Sequence, residues 1–256
     1  MKVATWNVNS IRARLERVVP WLEAVRPDVL LMQESKVTDE QFPREAIEAL
    51  GYQLATHGQR TYNGVAVLAR APIEVLSRGY ADGGDDSEAR FLDARVGGVR
   101  FLCAYVPNGK EIGSPHWEKK LAWLDRLRGY LEARCTTAEP IVLGGDLNVA
   151  PEAADVANPD AWASSVLFHP EAREALARVT RWGLVDAFRL RHPEPGLYSW
   201  WDYRMLAFPK NDGLRIDHLL VTPPVVPRVR EASIDRNARK GKQPSDHAPV
   251  LLELDP

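Results

Sequence analysis

Short apolar runs rich in valine, leucine and isoleucine recur along the whole chain, at residues 2–6, 28–33, 64–69, 91–96, 99–106, 140–144, 214–221 and 248–254. Runs of this length read as strands, because a strand buried on both faces needs continuous apolar sequence rather than alternation. Some follow one another across a turn, as at Val96-Gly97-Gly98-Val99, where paired glycines suit a tight hairpin. Others are separated by helical patterns. The clearest covers 116–134, with Leu121, Leu124, Leu127 and Leu131 at spacings of three and four. A second covers 171–182, with Leu176, Val179 and Trp182 on one stripe and Gly183 as its stop. A third, at 12–25, contains Pro20, which is expected to kink or split it. Such mixed connectivity argues against a regular βαβ repeat and for an α/β fold of two sheets packed face to face, with helices outside. No linker, repeat or low-complexity tract interrupts the pattern, so residues 1–256 are expected to form a single domain.

Composition matters mainly for the partner. A chain that is 45% hydrophobic and 27% charged is ordinary for a soluble protein with one large core. Its formal net charge of −2 supplies no bulk attraction to nucleic acid, so a DNA-binding surface requires local segregation of charge. Arg236, Arg239, Lys240 and Lys242 offer one basic cluster, and Asp82, Asp85, Asp86 and Glu88 form an acidic stretch elsewhere. No apolar stretch approaches the ~18 residues of a membrane span, and the N-terminus carries no basic-then-apolar leader, so a cytoplasmic protein without membrane contact is expected. Cys103 and Cys135 have no spacing that suggests a zinc site or redox pair and read as structural thiols.

The chemistry collects where apolar runs stop. Asn7 follows Val3-Ala4-Thr5-Trp6, Glu34 follows Val29-Leu30-Leu31-Met32-Gln33, and Asp146 and Asn148 follow Ile141-Val142-Leu143-Gly144-Gly145. Asp217 and His218 interrupt the seventh run, and Asp246-His247 precedes the last. Taken singly, each has an ordinary reading as a turn former, a helix cap or a satisfied structural histidine. Together, several carboxylates converging at strand ends would concentrate negative charge that only a hard cation could offset. Magnesium fits, because it favours one or two carboxylates together with water and phosphate oxygens.

In this order the residues resemble the exonuclease III family of the endonuclease/exonuclease/phosphatase superfamily, over nearly the whole chain. The markers are Thr5-Trp6-Asn7-Val8-Asn9-Ser10, Leu31-Met32-Gln33-Glu34-Ser35-Lys36, Ala104-Tyr105-Val106-Pro107-Asn108-Gly109, Gly144-Gly145-Asp146-Leu147-Asn148, Leu214-Arg215-Ile216-Asp217-His218 and Pro244-Ser245-Asp246-His247-Ala248-Pro249. Trp182-Gly183-Leu184-Val185-Asp186 and Tyr198-Ser199-Trp200-Trp201-Asp202-Tyr203-Arg204 resemble the abasic-site enzymes rather than lipid or inositol-phosphate phosphatases.

The resemblance implies a four-layer α/β sandwich, two packed mixed β-sheets flanked by helices, with the site at one edge of the sheets. It implies a DNA-repair hydrolase that incises 5′ to abasic sites, trims 3′ ends and uses magnesium, with manganese as a substitute. Asn7, Glu34, Asp146, Asn148, Asp246 and His247 would be the residues at or near the metal. Asp217 would orient His247 in its protonated form, Asp146 would activate water, and Asn148 and Tyr105 would contact the phosphate. The general base is the open assignment, because water activated by the metal can fill the same role. Lys36, Asn108, Lys110 and Arg204 would contact DNA, with Lys210 and the 236–242 cluster as further candidates. Trp200 would wall a pocket for the bare sugar, with Leu206 and Phe208 beside it. Two departures from the family pattern stand out: His218, where some relatives carry an aliphatic residue, and Trp201, where some carry phenylalanine. A monomer is expected, since one site can engage a duplex unaided. The competing readings are hydrolysis of RNA or another phosphoester, and a binding module that has lost its chemistry.

Overall fold

Twelve strands, numbered in chain order, divide equally between two sheets in the computed structural model, which describes residues 1–256. One sheet has the order β11 (Val229–Ile234), β12 (Val250–Leu254), β1 (Lys2–Asn7), β2 (Val29–Gln33), β4 (Val65–Ala69) and β3 (Gln53–His57). The other has β5 (Ile73–Arg78), β6 (Phe91–Val96), β7 (Val99–Tyr105), β8 (Ile141–Asp146), β10 (Asp217–Val221) and β9 (Val185–Asp186). Each sheet contains one parallel pair, β1 with β2 and β7 with β8, and is otherwise antiparallel. Both are therefore mixed. The parallel pairs require crossovers, and these are α1 (Ile11–Val25) and α3 (Pro115–Arg134).

Alternation along each strand makes the layers. Val3, Leu31, Val67, Phe101, Val142 and Leu219 point between the sheets and form the central core. Their neighbours Ala4, Leu30, Met32 and Leu68 face outward onto Ile11, Val18, Trp21 and Leu22 of α1. On the other sheet, Leu102 and Leu143 face Leu124, Leu127 and Leu131 of α3 and Leu176 of α5 (Pro170–Thr180). The result is the four-layer sandwich, helix on sheet on sheet on helix. Each fully buried leucine or valine here contributes about 1.5–3 kcal/mol of transfer free energy.

Several expectations change at the level of single elements. Pro20 does not split its helix: α1 runs unbroken from Ile11 to Val25. Pro20 lies on the exposed side, as does Glu16 one turn earlier, so water can satisfy the carbonyl that loses its amide, while Val18, Trp21 and Leu22 hold the helix to the sheet. The run at 214–221 is a strand only from Asp217, because Leu214 instead bridges Trp200 and Val156. The hairpin at Gly97-Gly98 forms with Val96 opposite Val99, and both glycines have positive φ, +56° and +81°. In the stretch 150–170, a short 3-10 turn at Ala153–Asp155 and α4 (Pro159–Trp162) supply local order.

Candidate functional site

The strand-end residues do converge. β1, β2 and β8 end beside one another at the same rim, with Asn7, Gln33 and Asp146 as their last residues. β10 begins there, since Asp217 pairs in register with Asp146. The strands approach closely because Gly144 and Gly145 carry no side chain. A Cβ at Gly144 would lie 2.7 Å from both Leu219 and Leu31, and one at Gly145 would run into the Ala104 carbonyl. Immediately past the strands the backbone turns through left-handed conformations at Asn9, Ser10, Glu34, Lys36 and Asn148. Non-glycine residues held this way are uncommon and cluster at functional sites.

Asn7 is the hinge of the cluster. Its buried side-chain amide donates to Glu34 Oε1 at 2.8 Å and to Asp146 Oδ2 at 2.9 Å. Tyr105 also donates to Glu34 Oε1, at 2.8 Å, and Lys36 pairs with Glu34 Oε2 at 2.7 Å. Burial would raise the Glu34 carboxyl, but Lys36 and the Asn7 amide outweigh it and hold the pKa below the usual range. The Tyr105 phenol is pushed well up by burial and by Glu34 and Asp146, so it remains a donor.

Asp146 accepts from the Asn148 backbone amide at 2.9 Å and from the Asn148 side chain at 3.3 Å. Its pKa is raised to about 7, first by burial and then by the nearby Asp217 and Glu34 charges, against the opposing pull of His247 and Asn7. Asn148 is held in turn by Asn108, whose amide reaches Asn148 Oδ1 at 3.1 Å.

His247 and Asp217 form a buried pair. Nδ1 lies 2.8 Å from Asp217 Oδ2, and since a carboxylate only accepts, Nδ1 carries the proton. Nε2 therefore faces Asp146, 3.7 Å from Oδ2. Burial opposes the charge on the ring, but Asp217 and Asp146 prevail and raise its pKa to about 10. Ser199, which was not singled out from the sequence, donates to Asp217 Oδ2 at 2.6 Å and accepts the amides of Ile216 and Asp217. Its signal was its place beside Trp200 in a conspicuous motif.

Asp246 sits beside this pair with both oxygens engaged, one by Asn9 at 2.9 Å and the other by Trp200 Nε1 at 3.0 Å. Asn9 also accepts from Lys36 at 2.6 Å and donates its backbone amide to Asn7 Oδ1 at 3.0 Å. It is a second residue the sequence reading passed over. Trp200 is part exposed at the rim with Trp162 against it, ring centres 6.0 Å apart, whereas Trp201 is wholly buried. Phe208 packs on Trp201, not Trp200, and Leu206 is exposed.

The expected DNA-contacting residues divide. Lys36, Asn108 and Lys110 line a cavity of about 380 Å³ that opens beside Glu34 and Tyr105, together with Arg90, His116 and Lys119. Arg204 is not gathered into the cluster; it is exposed and paired with Asp202 at 2.8 Å. The basic segment is half committed elsewhere. Arg236 stacks on Phe208 at 4.3 Å, and Arg239 is buried between Tyr203 and Phe208, while Lys240 and Lys242 are exposed. Arg126 binds Asp82 and Asp86 of the acidic stretch.

His218 points away from the cluster into a separate buried network. Its Nε2 faces the Val149 carbonyl at 2.9 Å and its Nδ1 faces Arg215 at 3.0 Å. Arg215 joins Asp155 at 2.7 Å and Asp186 at 2.7 Å, and Arg189 also binds Asp155.

Fold and rim together define a class: two-sheet sandwich proteins whose carboxylates and a buried Asp–His pair converge at one edge of the sheets. Within that class the chain belongs to the endonuclease/exonuclease/phosphatase family, whose model matches residues 4–247. Exodeoxyribonuclease III of Haemophilus influenzae is 35% identical over 99% of this chain and 100% of its own. An AP endonuclease from Archaeoglobus fulgidus superposes with a TM-score of 0.96 at 38% identity, covering 100% of both chains. A 3′ phosphatase from Neisseria, solved bound to a product DNA hairpin, gives 0.96 at 36% identity, over 100% of this chain and 99% of its own.

Proposed function

We propose that this protein is a magnesium-dependent DNA-repair nuclease that incises duplex DNA 5′ to abasic sites and trims 3′ ends, acting as a monomer in the cytoplasm. Manganese substitutes for magnesium. The observation that carries the reading is the Asp217–His247 pair aimed at Asp146, 3.7 Å away, beside two carboxylates bridged by one amide.

The donor set fits a hard divalent cation. Glu34, Asp146 and Asn7 can offer oxygen ligands, and with Asp217 and Asp246 nearby the four carboxylates face only two cations, Lys36 and His247, which leaves their charge under-compensated. Although atoms of Asp146, Asp217 and His247 lie within 4.8 Å of one another, that trio is a poorer cage, because Asp217 and His247 already satisfy each other and the ring is protonated. Asp246 and Asn148 then serve from the flank, since their side chains are bonded to Trp200, Asn9 and Asn108. When bound, the cation neutralises phosphate charge and favours hydroxide over water.

The chain's own residues do the rest. The His247 imidazolium, kept charged by Asp217, stabilises negative charge building on the phosphate oxygens. Asp146, its pKa lifted to about 7, takes the proton of the attacking water as that oxygen bonds to phosphorus and the P–O3′ bond breaks, the leaving 3′ oxygen gaining its proton from solvent. When the duplex binds, Asn148 and the Tyr105 phenol exchange their bonds to Asp146 and Glu34 for donation to the phosphate. Lys36, Asn108 and Lys110 hold flanking phosphates, which positions a backbone without reading its sequence. Arg204, exposed and bonded only to Asp202, reaches DNA as a peripheral charge. Trp200 walls the pocket for a sugar that has lost its base and so leaves the stack cheaply. The Neisseria relative named as a 3′ phosphatase supports the 3′-end activity.

The test is cleavage of a labelled duplex carrying one abasic-site analogue, with magnesium and with chelator. Metal-dependent incision on the 5′ side of the lesion is expected. Absence of incision with either magnesium or manganese by folded protein removes the abasic-site assignment and leaves resection of 3′ ends, or another phosphoester, as the activity to assay.

A further inference from the structure

Lys120 is wholly buried, and none of the chemistry above uses it. Its Nζ donates to three backbone carbonyls, those of Asn108 at 3.1 Å, Asn148 at 2.7 Å and Val166 at 2.5 Å. A fully buried lysine is rare, because its ammonium must be desolvated, and here burial lowers its pKa to about 7 against the attraction of Asp146. Three carbonyls use all three of its protons. They come from three separate loops, which follow β7, β8 and α4.

The loops are built around it. A Cβ on Gly109, whose φ is +94°, would lie 2.9 Å from Lys120 Cδ and 3.2 Å from the Trp117 ring, so the loop closes over the lysine only with glycine there. Asn108 and Asn148, whose carbonyls Lys120 gathers, also bond to each other through their side chains at 3.1 Å, and Asn148 then reaches Asp146.

We propose that Lys120 is a positioning residue for the cleavage reaction: from beneath the site it ties the loops of Asn108, Asn148 and Val166 into one unit and so fixes the Asn148 side chain against the scissile phosphate. It touches neither substrate nor metal. The inference rests on the reading of Asn148 as a phosphate-contacting group.

The measurement is a cycle of single-turnover incision rates for wild type, Lys120→Met, Asn148→Ala and the double variant, with duplex affinity determined for each. Lys120→Met is expected to slow incision ~10–100-fold, the range typical of groups that orient catalytic residues. Affinity should change less than about threefold, since phosphate contacts elsewhere supply it. In the Asn148→Ala background the same change should cost less than about threefold, because the residue through which it acts is gone. A penalty that multiplies in full, or no penalty in the wild-type background, overturns the proposal; a merely structural lysine would multiply.

If Asn148→Ala alone leaves the rate unchanged, the role of Asn148 fails instead. The clamp is then judged by amide hydrogen exchange, which Lys120→Met should accelerate at residues 108–110 and 147–150; unchanged exchange overturns it. Should Lys120→Met not fold, Gly109→Ala displaces the lysine stem from the opposite side and should show the same loss of additivity with Asn148→Ala. Full additivity there counts equally against the clamp.

Discussion

Two buried charge clusters meet at the start of β10, and they are built in opposite ways. Around Arg215, two guanidinium groups, Arg215 and Arg189, face two carboxylates, Asp155 and Asp186, with His218 filling the remaining hydrogen-bonding positions. Two residues along the chain, Asp217 belongs to a cluster of four carboxylates, Glu34, Asp146, Asp217 and Asp246, against two cations, Lys36 and His247. The first is balanced and the second is not. The carboxyls respond accordingly. Arg215 overcomes burial to hold Asp155 and Asp186 below the usual range, whereas burial and neighbouring anions lift Asp146 to about 7. A fold gains nothing from an anionic excess in its interior, and the proposed function gives that excess a use, in receiving a cation and with it a phosphate.

Asp146→Asn attacks this distinction most directly. It should reduce incision of the abasic duplex about 10²–10⁴-fold, the usual contribution of a positioned acid or base. It removes a charge the fold holds at a cost, so in chelator its thermal midpoint should equal or exceed that of wild type. A large fall in midpoint would mean that Asp146 is structural, and the contrast between the clusters would collapse.

Arg215→Met is the converse. Removing the shared cation leaves buried Asp155 with Arg189 alone and part-exposed Asp186 with no guanidinium, and should destabilise the fold by about 3–5 kcal/mol. The molecules that stay folded should retain most of their cleavage rate. The loss is pH-dependent with a definite sign. Carboxylates whose folded pKa is depressed contribute stability that is present above the unfolded value of about 4 and is lost as pH falls below it. The gap between wild type and Arg215→Met, measured by denaturant titration, should therefore be full at neutral pH and close on acidification. A gap that widens instead would show that the pair is not ionised as described.

Asp217→Asn tests the border between the clusters. His247 would keep its place, since the carboxamide oxygen can still accept from Nδ1, but would lose the main anion that raises its pKa to about 10. Incision should fall about 10–100-fold, as for other orienting partners. The alkaline limb of the rate profile should also move to lower pH, since the ring now discharges sooner. A profile unmoved at high pH would remove the imidazolium from the mechanism.

The clusters also differ in how legible they were. The central strands could be read because both of their faces are buried, and their polar last residues stood out against that background. All four strands the apolar runs did not reveal, β3, β5, β9 and β11, are sheet edges. Edges are half exposed and carry charges such as Glu74, Arg78, Arg230 and Glu231, which erase the apolar signal and also discourage edge-to-edge pairing. Within the site, Asn7, Glu34, Asp146, Asp217 and His247 were legible through motifs, whereas Asn9 and Ser199 lay in motifs without standing out and Lys120 lay in none. Their roles depend on left-handed turns and on loops that meet only after folding. Arg215 lay inside a recognised motif, yet nothing in the run Leu214-Arg215-Ile216 says that its side chain turns away from Asp217 towards Asp155.

The smallest effect separates the clusters without any substrate. A cation that binds only the folded state stabilises it by RT ln(1 + [L]/Kd), about 1.4 kcal/mol at ten times Kd, which is a few degrees in a domain of this size. Magnesium should therefore raise the thermal midpoint of the wild type slightly. Glu34→Gln should abolish the rise, since one of the two carboxylates sharing the Asn7 amide is then neutral. Arg215→Met should preserve it despite a much lower midpoint, because the balanced cluster offers a cation nothing. If Arg215→Met lost the magnesium response while Glu34→Gln kept it, the excess charge at the rim would have been assigned to the wrong side of β10.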